Sequence, residues 1–149
     1  MDQMRLSVVI PCLNAAATLP DQLEALVNEA TDQSWEGGWE VIVADNGSTD
    51  GSREVVERFR ARLPELRLVD ASDRRGQAHA RNVGAAAATG DAFLFVDADD
   101  AVAPGWLGAM GRALSRHGFV ACRYDNEKLN PVWVQRTHLN PQKDGLTSY

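Results

Sequence analysis

The sequence predicts an α/β fold built on a mostly parallel sheet flanked by helices. Short β-branched runs alternate with amphipathic stretches through the first 120 residues, the pattern of strands joined by crossover helices. The first run, Leu6-Ser7-Val8-Val9-Ile10, is apolar almost without a break and stops at Pro11, as expected of a strand buried on both faces. Small polar residues gather directly after each run, where such a sheet changes direction.

Each further element has its own justification. Thr18 and Asp21 are spaced as a capping box with Pro20 in the first turn, and Leu19, Leu23, Leu26, Val27 and Ala30 line one face of the helix that follows. Trp39 to Ala44 reads as the second strand, ended by the turn formers Asp45-Asn46-Gly47-Ser48. A helix starts near Asp50, carries Val55, Val56, Phe59 and Leu63 on its buried stripe, and stops at Pro64. Leu66 to Val69 forms the third strand. The alanine-rich stretch Gly76 to Thr89 is helical by propensity and its small side chains allow close packing. Phe93 to Val96 is the fourth strand, Pro104 opens a helix with Leu107, Met110 and Leu114 on one side, and Phe119 to Cys122 adds a fifth strand. Together these make a domain over residues 1–123. Over 124–149 the pattern breaks down into a loop-rich tail, where Asn130, Pro131, Asn140 and Pro141 interrupt a polar stretch around Trp133 and Leu139. Such a tail is expected to have its packing partners in sequence absent from this chain.

Composition removes several function classes. With 149 residues and 44% hydrophobic content the chain suits one domain with a buried core. A net charge of −6, with basic residues scattered apart from Arg74-Arg75, argues against nucleic acid as a partner. The N-terminal apolar run is too short for a signal segment or a membrane span, which points to a cytoplasmic protein. Cys12 and Cys122 lack metal-type spacing and read as free buried thiols. There is no Walker lysine loop, no Gly-x-Gly-x-x-Gly after the first strand and no Gly-x-Ser-x-Gly elbow.

In an open parallel sheet, ligands bind beyond the carboxyl ends of the strands. Asn14, Asp45, Asn46, Asp70, Asp73, Asp97, Asp99 and Asp100 all fall there. Asp97-Ala98-Asp99 follows a buried strand directly, so its carboxylates offer hard oxygen ligands for Mg²⁺ or Mn²⁺. The competing reading is a solvated acidic loop in which Asp100 caps the helix after Pro104. Asp45 is placed to accept a hydrogen bond from a base or ribose, although Asp-Asn-Gly-Ser is also an ordinary tight turn. Asp50 fits a helix N-cap. Gly76 would let backbone approach a ligand, and Arg81 would set a guanidinium against a pyrophosphate or else simply snorkel from a helix surface. His79 receives no role.

Four linked motifs carry a family resemblance. They are Val8-Val9-Ile10-Pro11-x-x-Asn14, Val41-Ile42-Val43-Ala44-Asp45-Asn46-Gly47-Ser48-Thr49-Asp50-Gly51, Ala80-Arg81-Asn82-x-Gly84 and Phe95-Val96-Asp97-Ala98-Asp99-Asp100. In this order, between Leu6 and Leu114, they resemble the family 2 glycosyltransferases of the Rossmann-like GT-A fold. The resemblance implies transfer of a sugar from a nucleoside-diphosphate donor to an acceptor hydroxyl, usually with inversion. The acceptor stays open between a saccharide, a lipid-linked molecule or another group, and work on lipid-linked acceptors would place the protein peripheral to a membrane. It also implies that Asp45 contacts the nucleobase, that Pro11 and Asn14 border the nucleoside, and that Arg81 lies near the base or diphosphate. Asp97 and Asp99 match the metal motif, the first helping to hold ribose or ion and the second touching the ion. The family's catalytic Asp or Glu follows later, near a Gly-Gly-Phe-like segment that does not occur before Tyr149. Two functions therefore stand side by side: a catalytic unit completed by a longer chain, an oligomer or a partner, and a non-catalytic nucleotide-sugar-binding remnant. A phosphatase of the haloacid dehalogenase type, which also uses Asp-x-Asp after a strand, is disfavoured by Ala101.

Overall fold

The computed structural model describes residues 4–63, 65–122, 125 and 130–132. The chain divides into two units, Met1–Gly118 and Phe119–Tyr149, and the strands and helices belong to the first. Its elements run β1 (Leu6–Cys12), α1 (Leu19–Asp32), β2 (Trp39–Asp45), α2 (Ser52–Phe59), β3 (Leu66–Asp70), α3 (Gln77–Ala87), β4 (Ala92–Phe95) and α4 (Trp106–Leu114). The four strands form one sheet in the order β3-β2-β1-β4, and every pair is parallel.

That order follows from the connections. Right-handed crossovers carry the chain outward from β1 to β2 and β3 with α1 and α2 on one face, and reversal to the other side of β1 sends α3 across the opposite face. Leu6, Val8, Ile10 and Cys12 of β1 pack with Leu19, Leu23 and Leu26 of α1, Val55 and Val56 of α2, and Trp106 and Leu107 of α4. On the other face Ala80 of α3 meets Ala44 and Ala71. α3 lies close because Gly84 has no Cβ: one built there would collide with the Cγ1 of Val9, which is fully buried. Gly84→Ala is therefore expected to destabilise the domain by about 1–3 kcal/mol through overpacking, read as a lower urea midpoint with an unchanged m-value.

Several expectations are corrected. β1 runs through Pro11 to Cys12, in register with Ala44 and Asp45 of β2. The carbonyl of Val9 accepts from Val96, so strand alternation turns Pro11, which has no N–H, toward the same side just where β4 ends. Thr18 makes no side-chain cap, because its backbone is already helical (φ −112°, ψ −34°) and its hydroxyl donates back to Ala15. α2 ends at Phe59; Pro64 lies outside the described residues. α3 is shorter than the alanine-rich stretch, and β4 sits one residue earlier than expected. α4 begins two residues after Pro104, with the N–H groups of Gly105 and Leu107 at its start taken by Glu29 of α1. Phe119–Cys122 forms no strand: Phe119 is 87% exposed and no neighbouring strand supplies ladder partners among the described residues. Cys12 is buried as expected, whereas Cys122 is exposed. Of the tail, most of 124–149 lies outside the described residues.

Candidate functional site

The order in which strands are added reverses at β1, with β2 and β3 on one side and β4 on the other, and in open parallel sheets a crevice forms at such a point beyond the carboxyl ends. A cleft of about 280 Å³ lies at this carboxyl edge, lined by Pro11, Cys12, Leu13 and Asn46 from the ends of β1 and β2, and by Arg75, Gly76, Gln77 and Ala80 from the start of α3. Gly76 stands at φ +130°, a value that side chains rarely tolerate, with no heavy atom near the position of a missing Cβ. The backbone of α3 therefore begins bare at the cleft, with the positive end of its dipole there.

Asn46 builds this arrangement from beneath. It is 3% exposed, its amide nitrogen donates to the carbonyls of Ala71 (2.6 Å) and Arg74 (2.7 Å), and its oxygen accepts from the N–H of Gly76 (2.8 Å). One side chain thus fixes the whole β3–α3 loop. Asn14 works in the same way on the other side. Its φ of +50° is one that Asn tolerates better than most residues, its oxygen accepts from the N–H of Thr49 (2.8 Å), and its own N–H donates to Ser48 (2.9 Å). Asp50 ties the same two loops, accepting from Ala16 and from both the N–H and the hydroxyl of Ser52, and these bonds hold its carboxyl below the usual range. The N-cap position of α2 is Gly51 and not Asp50 as expected from the sequence; Asp50 stands one residue earlier and accepts from the first helical N–H, that of Ser52.

Asp45 sits at the end of β2, 1% exposed. One oxygen accepts from the N–H of Ser48 (3.1 Å), and the other takes both Nε (2.7 Å) and a terminal nitrogen (2.6 Å) of Arg53. Arg53 also lies 3.7 Å from Asp70 and its side chain is 47% exposed, so it covers Asp45 on the way to solvent. Sequence reasoning missed Arg53. The signal was its position in the first turn of α2, where a cation opposes the helix dipole and needs a carboxylate partner. Cys12, paired in register with Asp45, is held as a neutral thiol because burial pushes its pKa up, and it is not an activated nucleophile. His79 pairs with Asp73 (2.8 Å), lowering the aspartate's pKa.

Asp97 follows β4 and reaches α3. Its Oδ1 accepts from Gln77 Nε2 (2.9 Å) and from Arg81 (2.7 Å), which links it directly to a residue lining the cleft. The Nε of Arg81 is buried and has no partner among the described residues. Asp97, Asp99 and Asp100 each offer one carboxylate oxygen, and these three atoms lie within 4.8 Å of one another. Hard oxygens at this spacing suit a small divalent cation, so the residues present fit Mg²⁺ or Mn²⁺. The structure thus brings Pro11, Arg81, Asp97 and Asp99 to the cleft or its border. Asp45 sits one strand over, in register with cleft-lining Cys12, and Asn14 acts in the neighbouring loops through bonds to Ser48 and Thr49.

Comparison with known proteins agrees with this geometry. The family model described as glycosyl transferase family 2 matches residues 7–147. The glycosyltransferase YibD of Escherichia coli is 38% identical over 100 residues, a match covering 67% of this chain and 27% of YibD. Among solved structures, TarS 1–349 of S. aureus superposes with a TM-score of 0.67 at 29% identity, covering 77% of this chain and 33% of TarS 1–349. The mannosyltransferase PcManGT of Pyrobaculum calidifontis, solved with GDP-Man and Mn²⁺, gives a TM-score of 0.54 at 32% identity over 70% of this chain and 32% of that one. The chain therefore spans about a third or less of the length of these relatives. No helix among the described residues is long and apolar enough to cross a membrane. With a parallel sheet of GT-A type, an acidic cluster at its switch point and a family match over nearly its whole length, the chain belongs to glycosyl transferase family 2.

Proposed function

We propose that this chain binds a nucleoside-diphosphate sugar across the carboxyl edge of its sheet, together with Mn²⁺ or Mg²⁺, for transfer of the sugar to an acceptor hydroxyl with inversion. The observation that carries this reading is the joining of the acidic cluster to the cleft: Asp97 is hydrogen-bonded to Gln77 and Arg81 of α3 while its neighbours Asp99 and Asp100 stand beside it. Structures of relatives support the ligand class, since TarS 1–349 is known with UDP-GlcNAc and PcManGT with GDP-Man and Mn²⁺.

In this reading Asp97 and Asp99 hold the ion, and the bare start of α3 faces the diphosphate with its N–H groups. A bound ion supplies neutralisation of the charge that develops on the departing diphosphate. Arg81 adds a fixed positive charge beside Asp97 that offsets one of the cluster's three carboxylates and leaves the others for the ion. Asp45 serves the nucleobase, with Arg53 holding its carboxylate in place, and Pro11 and Asn14 shape the nucleoside side of the cleft. The test is incubation of the chain with UDP- or GDP-linked sugars and Mn²⁺, following donor binding by calorimetry and release of nucleoside diphosphate. Metal-dependent binding of one donor class supports the reading, and its loss with excess chelator supports the role of the ion. Binding without release favours a donor-binding unit that does not turn over alone. Failure of every nucleotide sugar to bind in Mn²⁺ overturns the proposal.

A further inference from the structure

Two polar side chains of α1, Gln22 and Glu29, are buried within the apolar layer against the sheet, at 0% and 1% exposure. They stand seven residues apart, two helical turns along the same face. Burying an amide and a carboxylate among Leu19, Leu23 and Leu26 is costly unless each polar atom is satisfied, so their partners show what they are for.

Both reach the same distant segment. Gln22 Nε2 donates to the carbonyl of Asp97 (3.1 Å), and Gln22 Oε1 accepts from the N–H of Val102 (3.1 Å), so one amide spans the two ends of the turn that carries Asp97, Asp99 and Asp100. Glu29 continues the grip. One oxygen accepts from the N–H of Gly105 (2.6 Å), the other from the N–H of Leu107 (2.8 Å) and from the hydroxyl of Ser34 (2.9 Å). The two N–H groups are donors left open at the start of α4. The acidic turn has only one hydrogen bond of its own backbone across it, from the N–H of Asp100 to the carbonyl of Asp97 (3.3 Å).

We propose that Gln22 is a positioning residue for the acidic cluster: from beneath the site it fixes the Asp97–Val102 turn so that the carboxylates converge, with Glu29 anchoring the chain just beyond it. The inference rests on the reading of that cluster as a divalent-ion site. An amide is suited to this task because it supplies a donor and an acceptor a fixed distance apart, which a buried carboxylate or apolar side chain does not. Outer-shell groups of this kind typically change metal affinity by about 10–100-fold.

The test compares the parent chain with Gln22→Met, which keeps the volume and removes both bonds, and with Glu40→Ala, which weakens the fold at the start of β2, away from the turn. Affinity for Mn²⁺ in the presence of UDP or GDP is read from the electron paramagnetic resonance signal of free Mn²⁺, at a temperature where all chains are folded. Hydrogen exchange is followed over residues 97–107. Gln22→Met is expected to weaken Mn²⁺ at least tenfold and to speed exchange in this segment, while Glu40→Ala lowers the melting temperature with Mn²⁺ affinity unchanged. Should Gln22→Met fail to fold, Val102→Pro removes the donated N–H without altering α1 and is expected to weaken Mn²⁺ in the same direction. Parental Mn²⁺ affinity and parental exchange in the folded variants overturn the positioning role. If the parent itself binds no Mn²⁺ but Gln22→Met still speeds exchange over 97–102, the clamp stands and the metal reading falls.

Discussion

Asp97→Ala is expected to reduce metal-dependent donor affinity by about 100-fold or more, the largest effect of any single change at the site. The side chain does two things at once. It contributes an oxygen to the cluster with Asp99 and Asp100, and it receives Arg81 and Gln77 from α3. Truncating one member of a buried hydrogen-bonded charge pair typically costs about 2–5 kcal/mol; with both side chains 38% exposed this pair falls toward the lower end, and about 2.8 kcal/mol is about 100-fold in affinity. The alanine variant also leaves Arg81, whose Nε is already without a partner among the described residues, with no counter-charge from Asp97. Asp97→Asn separates the two effects, since it keeps an acceptor for Arg81 but removes the negative charge. If charge toward the ion dominates, both variants lose the Mn²⁺-dependent part of donor binding in calorimetry. Parental affinity in Asp97→Asn would show that Asp97 acts only as a strut for α3.

Glu40→Ala is expected to have the largest effect on stability, about 3 kcal/mol, at the opposite edge of the sheet from the cleft. Glu40 opens β2 beside Trp39 and is 2% exposed. Burial alone would raise its pKa. It is overcome by hydrogen bonds from the N–H of Thr89 (2.6 Å), the Ser7 hydroxyl (2.7 Å), Arg67 (2.6 Å) and the Thr89 hydroxyl (2.9 Å), which bring the pKa down to about 2. Removing the carboxylate strands these donors, at about 1–3 kcal/mol for each buried one left unpaired. The change in pKa sets the scale of the contribution. A pKa lowered from 4.5 to about 2 corresponds to about 3 kcal/mol of folded-state preference for the ionised form. Because the folded pKa is the lower one, the unfolded chain binds the proton first as pH falls. The contribution is whole above about pH 4.5 and is lost progressively down to about pH 2. Urea denaturation across this window should show a steeper acid loss in the parent than in Glu40→Gln. Equal slopes would remove Glu40 from the acid-sensitive set.

The order of elements was legible because periodicity is a local property. Leu19, Leu23, Leu26 and Val27 mark α1 by spacing alone, and all are buried where that spacing puts them. The acidic rim was legible for the same reason, since parallel strands fix which end of each run faces the crevice. What the sequence hid were contacts between distant segments. Nothing near Glu40 announces Thr89, 49 residues away, nor does Gln22 announce Asp97, 75 residues away. Read locally, Gln22 and Glu29 are polar interruptions of an apolar helix face, and only the assembled fold turns them into ligands for another segment's backbone. Asn14 and Asn46 were read as rim residues, and what the sequence did not show is that their side chains also hold the loops around the cleft. The phantom strand at Phe119–Cys122 failed because four apolar-leaning residues do not make a strand without a partner edge.

The central claim is that acidic side chains after β4 hold a divalent ion which in turn holds a nucleoside diphosphate. It is tested most directly by thermal denaturation of the parent chain and of Asp99→Ala with UDP or GDP, each with and without Mn²⁺, since a ligand bound only by the native state raises the melting temperature. The account predicts that one diphosphate stabilises the parent only when Mn²⁺ is present, and that Asp99→Ala abolishes the metal-dependent part of the shift. A full Mn²⁺-dependent shift in Asp99→Ala would contradict it.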